Sequence, residues 1–142
     1  MAGQADGEHY KNTARRWFTE GWAGNTALAD DIFSESVRTN GVTVGVAGSK
    51  HRIQERLAGF PDLSSHIEDM FSAGDKVVAR LVWCGTHTSS YGGIGATGKQ
   101  VAVPDFAIWR FAGGKVVEIS TIQDQFALLK QIGCLPGEVQ AA

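Results

Sequence analysis

The spacing of apolar side chains changes period along the chain. Tyr10, Ala14, Trp17 and Phe18 recur at helical intervals, which predicts a helix over residues 8–20, stopped by Gly21 and Gly24. Asn25 is placed to cap a short second helix reaching Phe33, with Leu28, Ile32 and Phe33 turned inward. Residues 37–40 and 42–46 read as short β-prone pieces divided by Gly41. Ser49 reads as the cap of a third helix over 50–57, with Ile53 and Leu57 one turn apart. Residues 58–63 form a turn signal around an aromatic anchor, Phe60. Beyond it the period becomes two. Residues 65–72, 76–88, 100–111 and 115–123 read as strands, with Ala73-Gly74-Asp75 and Gly113-Gly114 as hairpin turns. Asp124 then caps a last helix over 125–131, ended by Gly133 and Pro136. Helices, an antiparallel meander and a final helix predict an α+β domain with helices over one face of a curved sheet. A length of 142 residues fits a single domain spanning 1–142.

The strands are apolar on both faces. In 101–111 one parity holds Val101, Val103, Asp105, Ala107, Trp109 and Phe111, and the other holds Ala102, Pro104, Phe106, Ile108 and Arg110. A sheet wetted on one face alternates more cleanly. The second face, with Val78 and Val82 as a neighbouring strip, is therefore expected to be covered, either by a second subunit in a homodimer or by a loop. Trp17, Trp22 and Phe71 are expected in the core.

Composition narrows the function. Thirteen basic against fifteen acidic side chains leave a net charge of −2, so nothing favours nucleic acid or an anionic membrane surface. The N-terminal residues are small and polar rather than a basic flank and apolar stretch, which predicts a cytoplasmic protein. Cys84 and Cys134 stand apart, unlike a disulfide framework or a zinc site, and the four histidines have no metal-ligand spacing. Gly93 to Gly98 matches G-x-G-x-x-G, but a strand-like Gln100-Val101-Ala102-Val103 follows where a dinucleotide site needs a helix. The same objection removes a Walker A loop. What remains is a hairpin loop over 91–99, a candidate lid.

Asp105 carries the most information. A mid-strand aspartate among apolar neighbours is costly, and a carboxylate facing an apolar cavity gains a pKa suited to general acid/base work; the alternatives are a register that turns Asp105 outward, or pairing with an arginine. Pro104 before it points to an edge or bulge that re-aims the chain. Asp62, in Phe60-Pro61-Asp62-Leu63, is a second catalytic candidate, although Pro-Asp is also ordinary turn chemistry. Asp124 is explained by its capping position. Thr121 and Gln123 share a parity with Val117 and Ile119. With His87, His66 and Trp109 they are the expected substrate contacts in a largely apolar cavity.

Several segments, taken in order, resemble a known family. They are Phe60-Pro61-Asp62-Leu63, Gly74-Asp75-Lys76-Val77-Val78-Ala79-Arg80, Gly85-Thr86-His87-Thr88, Gly93-Ile94 with Thr97-Gly98-Lys99, Arg110-Phe111 with Gly114-Lys115-Val116-Val117-Glu118, and Asp124-Gln125 with Leu128-Leu129-Lys130-Gln131-Ile132-Gly133. Together they resemble the SnoaL-like polyketide cyclases. The resemblance implies the cone-shaped, NTF2-like α+β barrel with a deep apolar cavity. It also implies ring closure by aldol addition, with an aspartate as acid/base assisted by a histidine and a glutamine. In this chain those three places hold Thr121, Ala107 and Asp105. That pattern resembles the branch of the family that hydroxylates anthracycline rings. The resemblance then implies an aromatic polyketide substrate, no tightly bound metal or flavin, and molecular oxygen with a separate reductase. Cyclisation by a relocated acid/base group and non-catalytic ligand binding are the alternatives.

Overall fold

Local chemistry sets where each element begins and ends. The computed structural model describes residues 4–135; Pro136 and the first three residues of the N-terminal reading lie outside them. Helix α1 (Gln4–Arg16) runs directly into a π-helical turn, Trp17–Gly21. Gly21 is required there because a Cβ would collide with the Trp17 indole. A 3-10 turn, Thr26–Leu28, leads into α2 (Ala29–Ile32). Asn25 makes no side-chain capping bond, contrary to expectation, and Phe33 is already extended. Phe33 pairs with Val116, so strand pairing takes the residue out of the expected helix.

Strand β1 (Phe33–Thr39) is followed by a two-residue β2 (Val42–Thr43). The expected strand over 42–46 is cut short because Gly45, at φ 67°, opens α3 (Gly45–Gly59). Ser49 therefore does not cap α3. It lies inside the helix, and its hydroxyl donates back to the Gly45 carbonyl at 3.2 Å. Next come β3 (Ser64–Ala73), β4 (Lys76–Thr86), β5 (Gln100–Ala112) and β6 (Lys115–Gln123). The chain ends in α4 (Gln125–Gln131), capped by Asp124, whose carboxylate accepts from the Ala127 N–H at 2.9 Å.

The six strands form one open sheet in the order β2-β1-β6-β5-β4-β3. Neighbours are antiparallel except β1, which runs parallel to β6. The fold is the expected α+β arrangement. The inner face carries Val77, Ala79, Leu81 and Trp83 from β4 and Val101, Val103, Ala107, Trp109 and Phe111 from β5, all buried. Against it pack Trp17, Phe18 and Trp22 from the N-terminal turn and Ile53 from α3. The aromatic contacts are mostly edge-on: Trp17 meets Phe33 at 89° and Phe18 meets Trp22 at 90°.

Three details correct the sequence reading. A bulge between Arg110 and Phe111 pairs Phe111 with Val116, so Val116 faces inward and Val117 leaves the parity it was assigned with Ile119 and Thr121. Pro104 causes no bulge: the β4–β5 register runs unbroken through Val82 and Pro104. The Pro104 carbonyl accepts from Asp124, just past the end of β6, so the missing N–H falls where that ladder has already finished. Phe71 is half exposed on the outer face, because β3 pairs it with Val78 rather than turning it into the core. On the same outer face Phe106, Ile108 and Ile122 stand 49, 44 and 72% exposed. Among the described residues no helix is long and apolar enough to cross a membrane.

Candidate functional site

A cavity of about 140 Å³ opens between α3, the N-terminal aromatic residues and the inner face of β5 and β6. An apolar space of that size holds roughly one aromatic ring. Trp17, Phe18, Trp22, Phe33 and Trp109 make its walls. Its polar lining is short: Asp105 and Thr121 from the sheet, Ser49 and Arg52 from α3, and Thr39 from β1.

Asp105 reaches this cavity because β5 alternates strictly. Its neighbours in parity, Val103 and Ala107, are buried beside it, and its own exposure is 2%. One carboxylate oxygen, Oδ1, accepts from the Thr121 hydroxyl at 3.1 Å. Thr121 is itself held firmly. Asn40, in the left-handed region at φ 50°, carries the β1–β6 ladder one step further with its side-chain amide. Its Nδ2 donates to the Thr121 carbonyl at 3.0 Å, and its Oδ1 accepts from the Thr121 N–H at 2.9 Å. The second oxygen, Oδ2, has no hydrogen-bond partner among the described residues.

The nearest charge to Oδ2 is Arg56, whose Nη2 lies 4.0 Å away. Arg56 is a cation only 2% exposed, on a helix face it shares with Ser49, Arg52 and Ile53. Its guanidinium lies between two indoles, 4.8 Å from the Trp22 ring centre and 4.7 Å from that of Trp83. Desolvated contacts of this kind contribute up to about 2 kcal/mol each. Gln123 Oε1 accepts from Arg56 Nη2 at 3.1 Å and from Trp83 Nε1 at 3.3 Å, tying the stack to the end of β6. Burial raises the proton affinity of Asp105. The two arginines, Arg56 first and then Arg52, and the Thr121 hydroxyl work against that rise without cancelling it.

Of the other residues singled out by sequence, two reach the cavity and the rest do not. Thr121 and Trp109 line the cavity with Asp105. Gln123 does not line it but holds Arg56. Asp62 lies outside, in a shallow groove beside β4, where the Thr86 N–H and hydroxyl both donate to it at 2.7 Å and depress its pKa. His87 is fully buried but outside the cavity, stacked on Phe60 at 26° and bonded through Nδ1 to the Thr97 hydroxyl at 2.9 Å. It fixes the base of the glycine-rich loop. His66 pairs with Val82 and is exposed on the outer face. The loop itself packs Tyr91 against Phe60, and none of its residues lines the cavity, so it is not a lid in this structure. It passes directly into β5 at Gln100, with no helix after the glycines.

Sequence reasoning missed Arg52 and Arg56. The signal was present: two arginines one turn apart, interleaved with Ser49 and Ile53 on a single face of α3. Among the described residues no group of three or more His, Cys, Asp or Glu side chains is arranged to hold a metal ion.

The SnoaL-like polyketide cyclase model matches residues 12–132. The chain belongs to this family. No curated protein matches the chain. Solved structures of the same fold include a candidate SnoaL-like polyketide cyclase from Jannaschia sp. CCS1, 24% identical with a TM-score of 0.84, covering 96% of this chain and 99% of that one. A candidate polyketide cyclase from Acidithiobacillus ferrooxidans is 27% identical with a TM-score of 0.76, over 94 and 96% of the two chains. AclR from Streptomyces galilaeus, described as a candidate hydroxylase, is 23% identical with a TM-score of 0.79, over 91 and 98%. The SnoaL-like chain therefore has the NTF2-like fold implied by its sequence, with the sheet open rather than closed into a full barrel.

The electrostatics give a stability prediction. Folded protein holds the Asp105 proton more tightly than unfolded chain does. The stability linked to this group is thus present in acid and lost as pH rises through the elevated native pKa. Asp105→Asn, which mimics the neutral acid, is expected to have a higher Tm than wild type at pH 7. The difference should shrink as pH is lowered toward the ordinary carboxylate range, as read by thermal unfolding across pH.

Proposed function

We propose that this SnoaL-like protein is a proton-transfer enzyme acting on an aromatic polyketide, with Asp105 as its acid/base group. The observation that supports this reading most is a buried carboxylate in an aromatic-walled cavity, with one oxygen oriented by Thr121 and the other free. A proton-binding group of raised affinity, held at a fixed position beside a flat apolar site, suits abstraction from a phenol or an acidic ring carbon. Only about one ring fits inside, so the reacting ring enters and the remainder of the substrate extends past the partly exposed Thr39, Val44 and Arg52.

The finer reading is hydroxylation. Asp105 removes the proton, and the resulting electron-rich anion meets molecular oxygen. The balance is one ring C–H, one O₂, two electrons and two protons giving one C–OH and one water. A separate reductase supplies the electrons, and no resident flavin or metal takes part. Ring closure is the second reading, favoured by a single contact. Thr121, in the place where the family resemblance puts the cyclase aspartate, touches Asp105 across β5 and β6. The acid/base group has therefore moved by one strand and not left the site.

Activity tests separate these roles. With an anthracyclinone and a reducing partner, Asp105→Asn is expected to lose about 10²–10⁴-fold in turnover. Asp62→Asn should stay near wild type. Retained activity in Asp105→Asn would remove the carboxylate from the mechanism. Product mass separates hydroxylation from closure. A gain of one oxygen atom that disappears under anaerobic conditions marks hydroxylation, whereas closure proceeds without oxygen.

We also propose that a second copy covers the outer face of the sheet. Phe106, Ile108 and Ile122 form an apolar strip on its central strands, where a wetted face would carry polar side chains. Light scattering at micromolar concentration should give a dimer, and Ile108→Glu should give monomers or aggregates. A monomeric wild type would contradict the pairing.

A further inference from the structure

The charges around the cavity do not balance. Arg52 and Arg56 sit one turn apart on the same face of α3, and the cavity offers them one carboxylate, Asp105. Arg56 is committed to Gln123 and to the two indoles. Arg52 lines the cavity at its partly exposed side and makes no hydrogen bond, and no ion pair within 4 Å, among the described residues; Asp105, which lies closer to Arg56, attracts it only from farther away. Two further carboxylates, Glu55 on α3 itself and Asp30 on α2, have partners of their own. Glu55 pairs with His51 at 3.0 Å, and Asp30 pairs with Lys50 at 2.9 Å. Burial and the like charge of Arg56 both weaken the hold of Arg52 on its proton. A cation at the cavity mouth with no carboxylate in direct contact leaves its donors open to an anion that arrives with the ligand. A guanidinium is suited to that task, since it presents several donors in a plane to an anionic oxygen.

We infer that the ligand of this cavity is an apolar ring system bearing an ionised oxygen, and that Arg52 receives that oxygen at the mouth while the ring lies among Trp17, Trp22 and Trp109. The inference rests on the proposed polyketide reading and narrows it to substrates with a carboxylate or an ionised phenol or enol. Arg52 then selects and orients the substrate. The anion on Arg52 fixes which edge of the ring faces Asp105, deeper in the same cavity.

The test reads binding alone, by quenching of the cavity tryptophans. Three probes are titrated at pH 7: 2-naphthoate, its neutral isostere 2-naphthamide, and an ionised nitronaphthol followed by its own absorbance. Wild type should bind 2-naphthoate about tenfold or more tightly over 2-naphthamide. Arg52→Met and Arg52→Gln should bring the two to parity, and Arg52→Lys should keep part of the preference. Binding of the nitronaphthol in place of naphthoate assigns the site to phenolates as well, and its failure restricts the site to carboxylates. Equal affinities in wild type overturn the inference. So does a preference that survives in Arg52→Met with the circular dichroism of the native fold. Turnover in Asp105→Asn is a separate readout. A lost charge preference with an inactive Asp105→Asn removes only the role of Arg52, and an active Asp105→Asn with the preference intact removes only the acid/base reading.

Discussion

The guanidinium of Arg56, closed between the faces of Trp22 and Trp83, organises the polar end of the cavity. A lone cation at 2% exposure is untenable in an apolar interior unless its charge is answered on several sides. Here two indole rings, Gln123 at Nη2, and Asp105 at 4.0 Å answer it, while Nε and Nη1 have no hydrogen-bond partner among the described residues. Each answering group comes from a different element: the N-terminal turn, β4, the end of β6 and β5. The separation from Asp105 exceeds a hydrogen bond. Arg56 thus steadies the carboxylate electrostatically without consuming its free oxygen. A direct bidentate pair would have lowered the proton affinity of Asp105 and closed the site to substrate. The observed spacing leaves burial as the stronger influence.

The same constraint explains why the sheet must be regular at this point. Asp105 pairs with Leu81 on one side and Gln123 on the other, in an unbroken stretch of both ladders. A slip of one residue would carry Asp105 to the outer face and place Phe106 in the cavity. The irregularities are kept away from it. The β5–β6 bulge lies near the hairpin at Gly113-Gly114, the β3 irregularity lies between Ile67 and Asp69, and the β1–β6 shift lies between Phe33 and Arg38, opposite the start of β6 rather than its end. Pro104 sits one residue from Asp105, but its missing donor faces past the end of β6.

Much of this was legible in the amino-acid order. The strand hairpins follow from Gly74 and Gly113-Gly114, and the inward direction of Asp105 follows from its parity with Trp109 and Phe111. The Asp124 cap could be read from its place before the last apolar helix. Other features depend on tertiary pairing that no local signal carries. Phe33 is helical by its neighbours and a strand by its partner Val116. The inward turn of Val116 depends on a bulge. His87 looked like a cavity residue because it ends a strand, whereas β4 stops at Thr86 and His87 turns under Phe60. Asp62 follows Pro61 in a turn, so its residue type alone fits either chemistry or turn formation; the structure shows it tying the chain to Thr86. Arg52 and Arg56 were undervalued because arginine on a helix is usually solvated. Their spacing with Ile53 was the available clue.

The account stands on one property, the proton affinity of a carboxylate desolvated by aromatic walls and only partly offset by Arg56. A carbon-13 NMR titration with labelled aspartate, assigned by comparison with Asp105→Asn, measures it directly. The Asp105 carboxyl should titrate above the ordinary aspartate value of about 3.9, and higher still in Arg56→Gln, where the opposing charge is gone. A midpoint at or below the ordinary value in wild type would show that Arg56 outweighs burial, and the carboxylate would then be a fixed counter-ion and not an acid/base group.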